Sequence, residues 1–462
     1  MAKVTISTKP CMTNPLRMSQ PLGAALAFLG MDSCMPLFHG AQGCTSFGLV
    51  LLVRHFREAI PLQTTAMNEI STVLGGIENV EQAIVNICKK TNPELIGICT
   101  TGATEVKGDD LNAYITLIRA NHPELEGVEL VHVHTPDFSG AFQDGWAQAV
   151  TRIIEELIEI PTPGARDKNF VNVLPGSHFT AGDIDELRET IESFGLFPTF
   201  LPDLSGSLDG HVPETFTPTT LGGCTVDEVR DLGSASWTIA VGAQMRGAAI
   251  TLEQRTGVPY RLFERLTGLE CFDEFLQFLS EISGMPVPRR YRRLRAQLVD
   301  AMLDGHFYFG GKKVAIAAEP DLLWALANWL TEMGCTVVGA VTSTMSPLLE
   351  EMPCEEVILG DLDDLEQMGS QADLLVANSQ ARQAAERLHL PLFRIGLPIF
   401  DRLGSAHITT IGYRATRDLL FAVGNLFLAQ VHEPGPDAWV RPEMLASANL
   451  RAGEETFPIL PS

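Results

Sequence analysis

Short, almost continuously apolar runs alternate along this chain with longer segments in which apolar residues recur every three or four positions. The short runs predict buried strands, and the longer segments predict helices with one apolar face. Such an alternation is typical of parallel sheets covered on both faces. The predicted strands are 36–38, 95–100, 128–134, 170–174, 236–241, 312–317, 336–341, 373–377 and 392–395. The predicted helices are 22–29, 47–56, 78–90, 106–121, 141–159, 184–194, 272–282, 320–333, 379–388 and 415–431.

The alternation of strands and helices begins three times, which predicts three doubly wound, Rossmann-like α/β domains with parallel sheets. A length of 462 residues also favours about three cores. Two prolines at 161–164 indicate a linker, and Asp183 is the predicted N-cap of the helix that follows. We place an N-terminal arm and the first domain at 1–165, the second domain at 166–307, the third at 308–431 and a tail at 432–462.

The charge and the cysteines narrow the class of protein. Lys and Arg number 33 against 57 Asp and Glu, a formal charge of -24, so neither nucleic acid nor an anionic membrane is an expected partner. No apolar run reaches the roughly 18 residues that span a bilayer, and the first residues lack the apolar core of a signal peptide, so we expect a cytoplasmic protein. Nine scattered cysteines without a C-x-x-C pair disfavour disulfide frameworks and self-contained metal sites.

One cysteine stands out by its position. Cys44 follows the glycine-rich segment 39–43, between a strand that ends at Phe38 and a helix predicted from Phe47. Ligands of open α/β sheets bind at this carboxyl end of the strands, and a nearby helix N-terminus favours the thiolate that binds metal. The alternative is a buried thiol that fills a small hole in the core, because free cysteine is among the most buried residue types. Cys44 is therefore a candidate ligand.

Other segments carry weaker signals. A second strand-to-helix turn has Gly102 at its centre, and it is either a ligand-approach point or an ordinary capped turn. His132 and His134 share one face of a strand and either bind metal or are ordinary core histidines. The arginine-rich run 289–295 is either a solvated helix face or a contact for an acidic partner or nucleic acid, and the long loop 203–223 is either functional or mobile. Nucleotide binding is disfavoured because no glycine-rich phosphate loop occurs.

In combination these segments resemble the β subunit of nitrogenase component 1. The matching segments span nearly the whole chain in the same order, so the resemblance implies that family's three-domain fold. The segments are 19–30, 39–44, 100–110, 134–136 with 145–146, 273–275 with 280–284, and 396–402 with 412–413.

The departures from this family's pattern concern the cluster ligands. In the nitrogenase β subunit, three cysteines from segments matching those at Ser19, Cys44 and Gly102 hold the large interface cluster. Only Cys44 is a cysteine here. The pattern is similar to that of the β-like subunit of the scaffold on which the iron-molybdenum cofactor precursor matures. The resemblance implies that Cys44 gives one ligand to a 4Fe-4S cluster at the interface, and that an α-like partner gives three, which agrees with the need for four thiolates.

The resemblance also implies partners. These are the α-like scaffold subunit NifE in an α2β2 heterotetramer, the radical-SAM protein NifB as donor of the precursor, and the nitrogenase iron protein, with the precursor held mainly by NifE. Such a subunit is an assembly scaffold rather than a catalyst. Two alternatives remain open: the β-type subunit of a related enzyme, dark-operative protochlorophyllide reductase, and a metal-free interaction subunit in which Cys44 is merely buried.

Overall fold

Three parallel sheets form the framework of the computed structural model, which describes residues 2–9, 14–69, 71, 76–108, 110–158 and 166–430. Two sheets have four strands and one has six, and every pair of neighbouring strands is parallel. The first sheet has the order Gln63–Thr64, Cys34–His39, Leu95–Thr100, Glu129–Val133. The second has the order Phe197–Phe200, Asp167–Leu174, Ala235–Val241, Tyr260–Phe263. The third has the order Lys3–Ile6, Glu356–Leu359, Thr336–Thr342, Lys313–Ala317, Leu374–Ala377, Leu392–Arg394.

Helices connect the strands and cover the sheets, as the crossover rule for parallel strands requires. Those around the first sheet are Gln20–Leu29, Gln42–Phe56, Ile77–Thr91, Gly102–Lys107, Leu111–Asn121 and Phe142–Leu157. Those that follow are Ala181–Glu192, Val226–Arg230, Arg246–Thr256, Glu270–Ser283, Arg289–Phe309, Pro320–Glu332, Leu362–Gly369, Arg382–Leu388 and Gly412–Leu428. The predicted α/β class with three parallel sheets is confirmed. No described helix is both long enough and apolar enough to cross a bilayer.

Two helices cross in close contact within the largest apolar core. Every residue of Gln20–Leu29 is buried, and its partner Phe142–Leu157 buries one broad face. Glycines permit the contact, because a Cβ at Gly23 would lie 1.9 Å from the Phe142 carbonyl oxygen and a Cβ at Gly145 would lie 1.9 Å from that of Gln20. This crossing fixes the start of the first helix beside the first sheet.

The N-terminal segment is more than the extended arm that its prolines suggest. Residues Lys3–Ile6 form an edge strand of the third sheet, paired in parallel with Glu356–Leu359. Lys9 then contacts Asp363 and Asp364 at 2.5 and 2.7 Å. The segment therefore ties the beginning of the described chain to the last sheet before it enters the first one.

Several local predictions need correction. Asp183 is the third residue of its helix, and Thr180 is the N-cap whose hydroxyl accepts from the Asp183 amide at 3.0 Å. The helix predicted over 106–121 is two helices, broken at Gly108, which has a left-handed φ of 76°, before Asp110 caps the second one. The pattern also missed the helix Arg246–Thr256 and the strand after it.

The arginine-rich run and the long loop both make contacts with other parts of the chain. The arginine-rich run opens the helix Arg289–Phe309 and lies on its solvated face, where Arg290 pairs with Glu189 and Arg295 with Asp273. The long loop 203–223 is attached at its end, since the Thr220 hydroxyl donates to the Met31 carbonyl at 2.6 Å. The linker 161–164 and the tail 432–462 lie outside the described residues, and the domain boundaries stay predictions.

Candidate metal-cluster site

A cavity of about 430 Å³ lies where the strands of the first sheet end. Its wall includes Ser19, Cys44 and Thr101, which belong to three segments far apart in sequence, and Gly102 follows Thr101 directly. Strands Cys34–His39 and Leu95–Thr100 run in register from end to end, so their carboxyl termini meet at the same edge. The fold therefore brings together the three positions that the sequence comparison singles out.

Cys44 lies in the first turn of the helix Gln42–Phe56, which begins five residues earlier than predicted. Its side chain is exposed, so the alternative of a buried core thiol is wrong. The expectation that the helix N-terminus lowers its pKa is not met in the free chain. Desolvation by the surrounding protein atoms raises the pKa of the Cys44 thiol even at this exposed position, and the Asp137 carboxylate raises the pKa further. An exposed thiol of this kind can serve a ligand-binding role only when a positive charge, such as a metal, stabilises the thiolate.

The two other positions carry no thiol. Ser19 is half-buried and precedes the first residue of the helix Gln20–Leu29. Gly102 is buried at the start of the short helix Gly102–Lys107, and a Cβ built there would lie 2.1 Å from Asp137 Oδ1. The place that a side chain at position 102 would take is thus occupied by the carboxylate of Asp137.

Threonine side chains hold the strand ends together behind the cavity. The Thr101 hydroxyl donates to the His39 carbonyl at 3.0 Å, and the Thr104 hydroxyl donates to the Thr101 carbonyl at 2.9 Å. A Cβ at Gly40 would lie 2.3 Å from Thr101 Oγ1, so glycine is needed for this approach. These contacts fix the backbone that precedes Cys44.

Asp137 is the residue at this site that sequence analysis missed. It lines the cavity and follows Pro136, the last residue of the family-like segment 134–136. The Gln20 amide donates to the Pro136 carbonyl at 3.2 Å and to the Ser139 carbonyl at 2.6 Å, so the loop around Asp137 is held from the first helix. The sequence signal that could have pointed to Asp137 was an acidic residue next to a proline, shortly after a predicted strand.

Exposed apolar side chains accompany the cavity on neighbouring segments. Phe47, one turn after Cys44, is 68% exposed, and Phe138, next to Asp137, is 61% exposed. Val106 on the short helix after Gly102 is 79% exposed. Apolar residues grouped on a surface in this way are typical of interaction sites.

The histidine pair lies elsewhere on the first sheet. His132 Nε2 and His134 Nε2 are 3.4 Å apart, and the second ring also contacts Glu105 at 3.0 Å. Burial lowers the pKa of His132 to about 4. Across the described ranges, no group of three or more His, Cys, Asp or Glu side chains is arranged to hold a metal ion.

The donor set fits one corner of an iron-sulfur cluster. Among the eight cysteines that the structure describes, Cys44 alone lines the cavity, and the seven others are buried or partly buried. A cluster of four irons usually takes four thiolates. The described part of this chain therefore suits a cluster that lies at its surface and takes its remaining ligands from another chain.

The family follows from comparison with known proteins. The model of the nitrogenase component 1 type oxidoreductases matches residues 19–428. The chain belongs to this family. Its fold is similar to the solved structure of nitrogenase Cp1 at pH 6.5, with a TM-score of 0.86 and 32% identity over 92% of this chain and 95% of that one.

Within the family, the chain is similar to nitrogenase iron-molybdenum cofactor biosynthesis proteins NifN. It is 58% identical to NifN of Bradyrhizobium diazoefficiens, over 95% of each chain. It is 51% identical to NifN of a Nostoc species, over 93% of this chain and 96% of the relative. The NifN of Klebsiella pneumoniae is 38% identical, with 94% of each chain covered.

Proposed function

We propose that this chain is the β-like subunit of the scaffold complex on which the iron-molybdenum cofactor precursor is matured by insertion of molybdenum and homocitrate. Support comes from the names of relatives that are 38 to 58% identical over nearly their full length. The reductase alternative is less well supported, because these relatives are named for cofactor biosynthesis.

The proposed contribution of this chain to metal binding is one thiolate, from Cys44. The observation that carries the proposal is that Cys44 is the single exposed cysteine among the described residues and lines a cavity near the two other family positions, Ser19 and Gly102. When bound, a 4Fe-4S cluster supplies one-electron transfer. This chain would hold one iron through Cys44 Sγ and cover one side of the cluster with the wall of the cavity.

The proposed partner is NifE, the α-like subunit, in an α2β2 heterotetramer. A surface cluster with one ligand here needs three thiolates from the facing chain, and the exposed side chains of Phe47, Val106 and Phe138 would be covered by the same contact. NifB as precursor donor and the nitrogenase iron protein as the source of molybdenum and homocitrate complete the proposal, with the precursor held mainly by NifE.

The experiment compares this chain purified alone with the complex co-expressed with the α-like subunit. We expect the chain alone to be colourless and free of iron, and the complex to be brown, tetrameric and iron-containing. Iron and sulfide analysis and electron paramagnetic resonance measure the cluster. Stoichiometric sulfide-bound iron on the isolated chain would contradict a shared site.

Two cysteine variants then test the ligand. Cys44→Ala should give a tetramer of unchanged chromatographic size with reduced or labile iron and an altered paramagnetic signal. Cys88→Ala is the matched control, since this half-buried thiol on the helix Ile77–Thr91 does not line the cavity. If Cys44→Ala dissociates the tetramer and leaves the iron on the partner, Cys44 is a packing residue. Turnover of protochlorophyllide by the complex would favour the reductase.

A further inference from the structure

We propose that Asp137 is a positioning charge for the interface cluster: its carboxylate fills the place of a side chain at Gly102 and lowers the reduction potential of the cluster bound at Cys44. This inference rests on the proposed function, because it needs a cluster at Cys44. It adds a role for a residue that carries no thiol and is not a ligand.

The geometry places the carboxylate against the site. Asp137 and Cys44 line the same cavity, and Asp137 Oδ1 lies 2.1 Å from the point where a Cβ of residue 102 would be. The carboxylate therefore occupies the space that a side chain at position 102 would enter first.

The loop that carries Asp137 is held in position. The Gln20 amide donates to the carbonyls of Pro136 and Ser139, and Arg17 Nε donates to the Gly140 carbonyl at 2.9 Å. The carboxylate therefore sits on a loop attached at both sides to the segment that opens the first helix. Arg17 also lines the cavity, and its guanidinium keeps its positive charge while Nε makes this backbone contact, so it does not change the direction of the effect of removing the Asp137 charge.

The direction of the effect follows from charge. Reduction adds one electron to the cluster, and a fixed negative charge nearby makes the reduced state less favourable. Covering of the site by a partner would remove solvent and strengthen this interaction. A neutral side chain of the same shape should therefore raise the reduction potential without removing iron.

The experiment uses the co-expressed complex and the variant Asp137→Asn. We expect unchanged iron content and a rise in midpoint potential that corresponds to roughly tenfold in the one-electron equilibrium constant, or about 59 mV. Potentiometric titration followed by electron paramagnetic resonance measures it. Asp300→Asn removes the same charge from an exposed site on the helix Arg289–Phe309, outside the cavity, and should leave the potential unchanged.

A second variant moves the carboxylate without altering it. Gly102→Ala brings its Cβ against Asp137 Oδ1, the end of an exposed side chain that can rotate away. We expect retained iron and a changed potential, and an unchanged potential here and in Asp137→Asn would overturn the role of Asp137.

The outcomes separate the two proposals. Unchanged potential in Asp137→Asn with iron retained overturns the role of Asp137 and leaves the cluster at Cys44 standing. Loss of iron in Asp137→Asn, with the tetramer intact, would make Asp137 a ligand and also overturn the assignment. A parent complex without iron would overturn the proposed function and this inference together.

Discussion

The crossing of the helices Gln20–Leu29 and Phe142–Leu157 makes Gly145→Ala a severe change for its size. The new Cβ would lie 1.9 Å from the Gln20 carbonyl oxygen and 2.6 Å from its carbon, whereas real Cβ atoms essentially never approach closer than 3.0 Å. The helices would have to separate by about 1 Å, because neither backbone atom can rotate away. Every residue of the first helix is buried, so the separation opens contacts along its whole length.

The magnitude follows from two opposing effects. Overpacking of a well-packed core costs about 1 to 3 kcal/mol, and a clash between backbones belongs at the upper end. Alanine in place of glycine inside a helix returns up to about 1 kcal/mol. We therefore expect Gly145→Ala to lower the free energy of unfolding by about 2 kcal/mol or more.

Urea unfolding measures the loss of stability in Gly145→Ala, and Gly247→Ala is the matched control. Gly247 is also helical, in Arg246–Thr256, and a Cβ there has nothing within 4 Å, so its replacement should stabilise the protein by about 0.5 to 1 kcal/mol. Since a chain with several cores need not unfold in one step, the midpoint of the first transition is compared. Equal midpoints for the two variants would refute the steric argument.

Three further predictions concern other sites. Burial raises the pKa of Glu319 from 4.5 to about 7, so the folded protein binds this proton more tightly than the unfolded chain does. The bound proton therefore stabilises the fold by about 3 kcal/mol below pH 4.5, and this contribution is lost as the pH rises through 7. Urea midpoints at pH 5 and 8 should therefore differ less in Glu319→Gln. Ser19→Ala should keep the iron of the complex in a direct iron assay; its loss would make Ser19 a ligand. Asp183→Ala removes the acceptor of the Thr410 and Ile411 amides and should lower the free energy of unfolding, measured in urea, by about 3 kcal/mol. The control Asp304→Ala, at an exposed position, should leave it unchanged.

The sequence was most informative where local pattern decides structure. The buried strands Cys34–His39 and Leu95–Thr100 lie where apolar runs predict them, and the position of Cys44 at a strand-to-helix turn follows from them. The family resemblance, confirmed by comparison, supplied Ser19 and Gly102 as related positions. That these three meet at one cavity could be expected from the shared edge of a parallel sheet.

Other features depend on contacts that no local pattern contains. The pair Thr180 and Asp183 offers two residues able to cap a helix, and only the backbone conformation selects Thr180. The helix Arg246–Thr256 lacks a clear apolar face, so its periodicity gave no signal. The approach of Asp137 to Gly102 joins residues that follow two different strands, and it becomes visible only in three dimensions.

The edge strand Lys3–Ile6 affects when the third sheet can be completed during synthesis and how fragments of the protein behave. During synthesis these residues are made long before their parallel neighbour Glu356–Leu359, so the edge strand can pair only after the chain has been extended past Leu359. A fragment cut to contain the third sheet alone would leave the backbone of Glu356–Leu359 unpaired and open to strands of other molecules. A tag fused close to Lys3 would lie beside this edge of the sheet, whereas the strand Leu392–Arg394 forms the opposite edge.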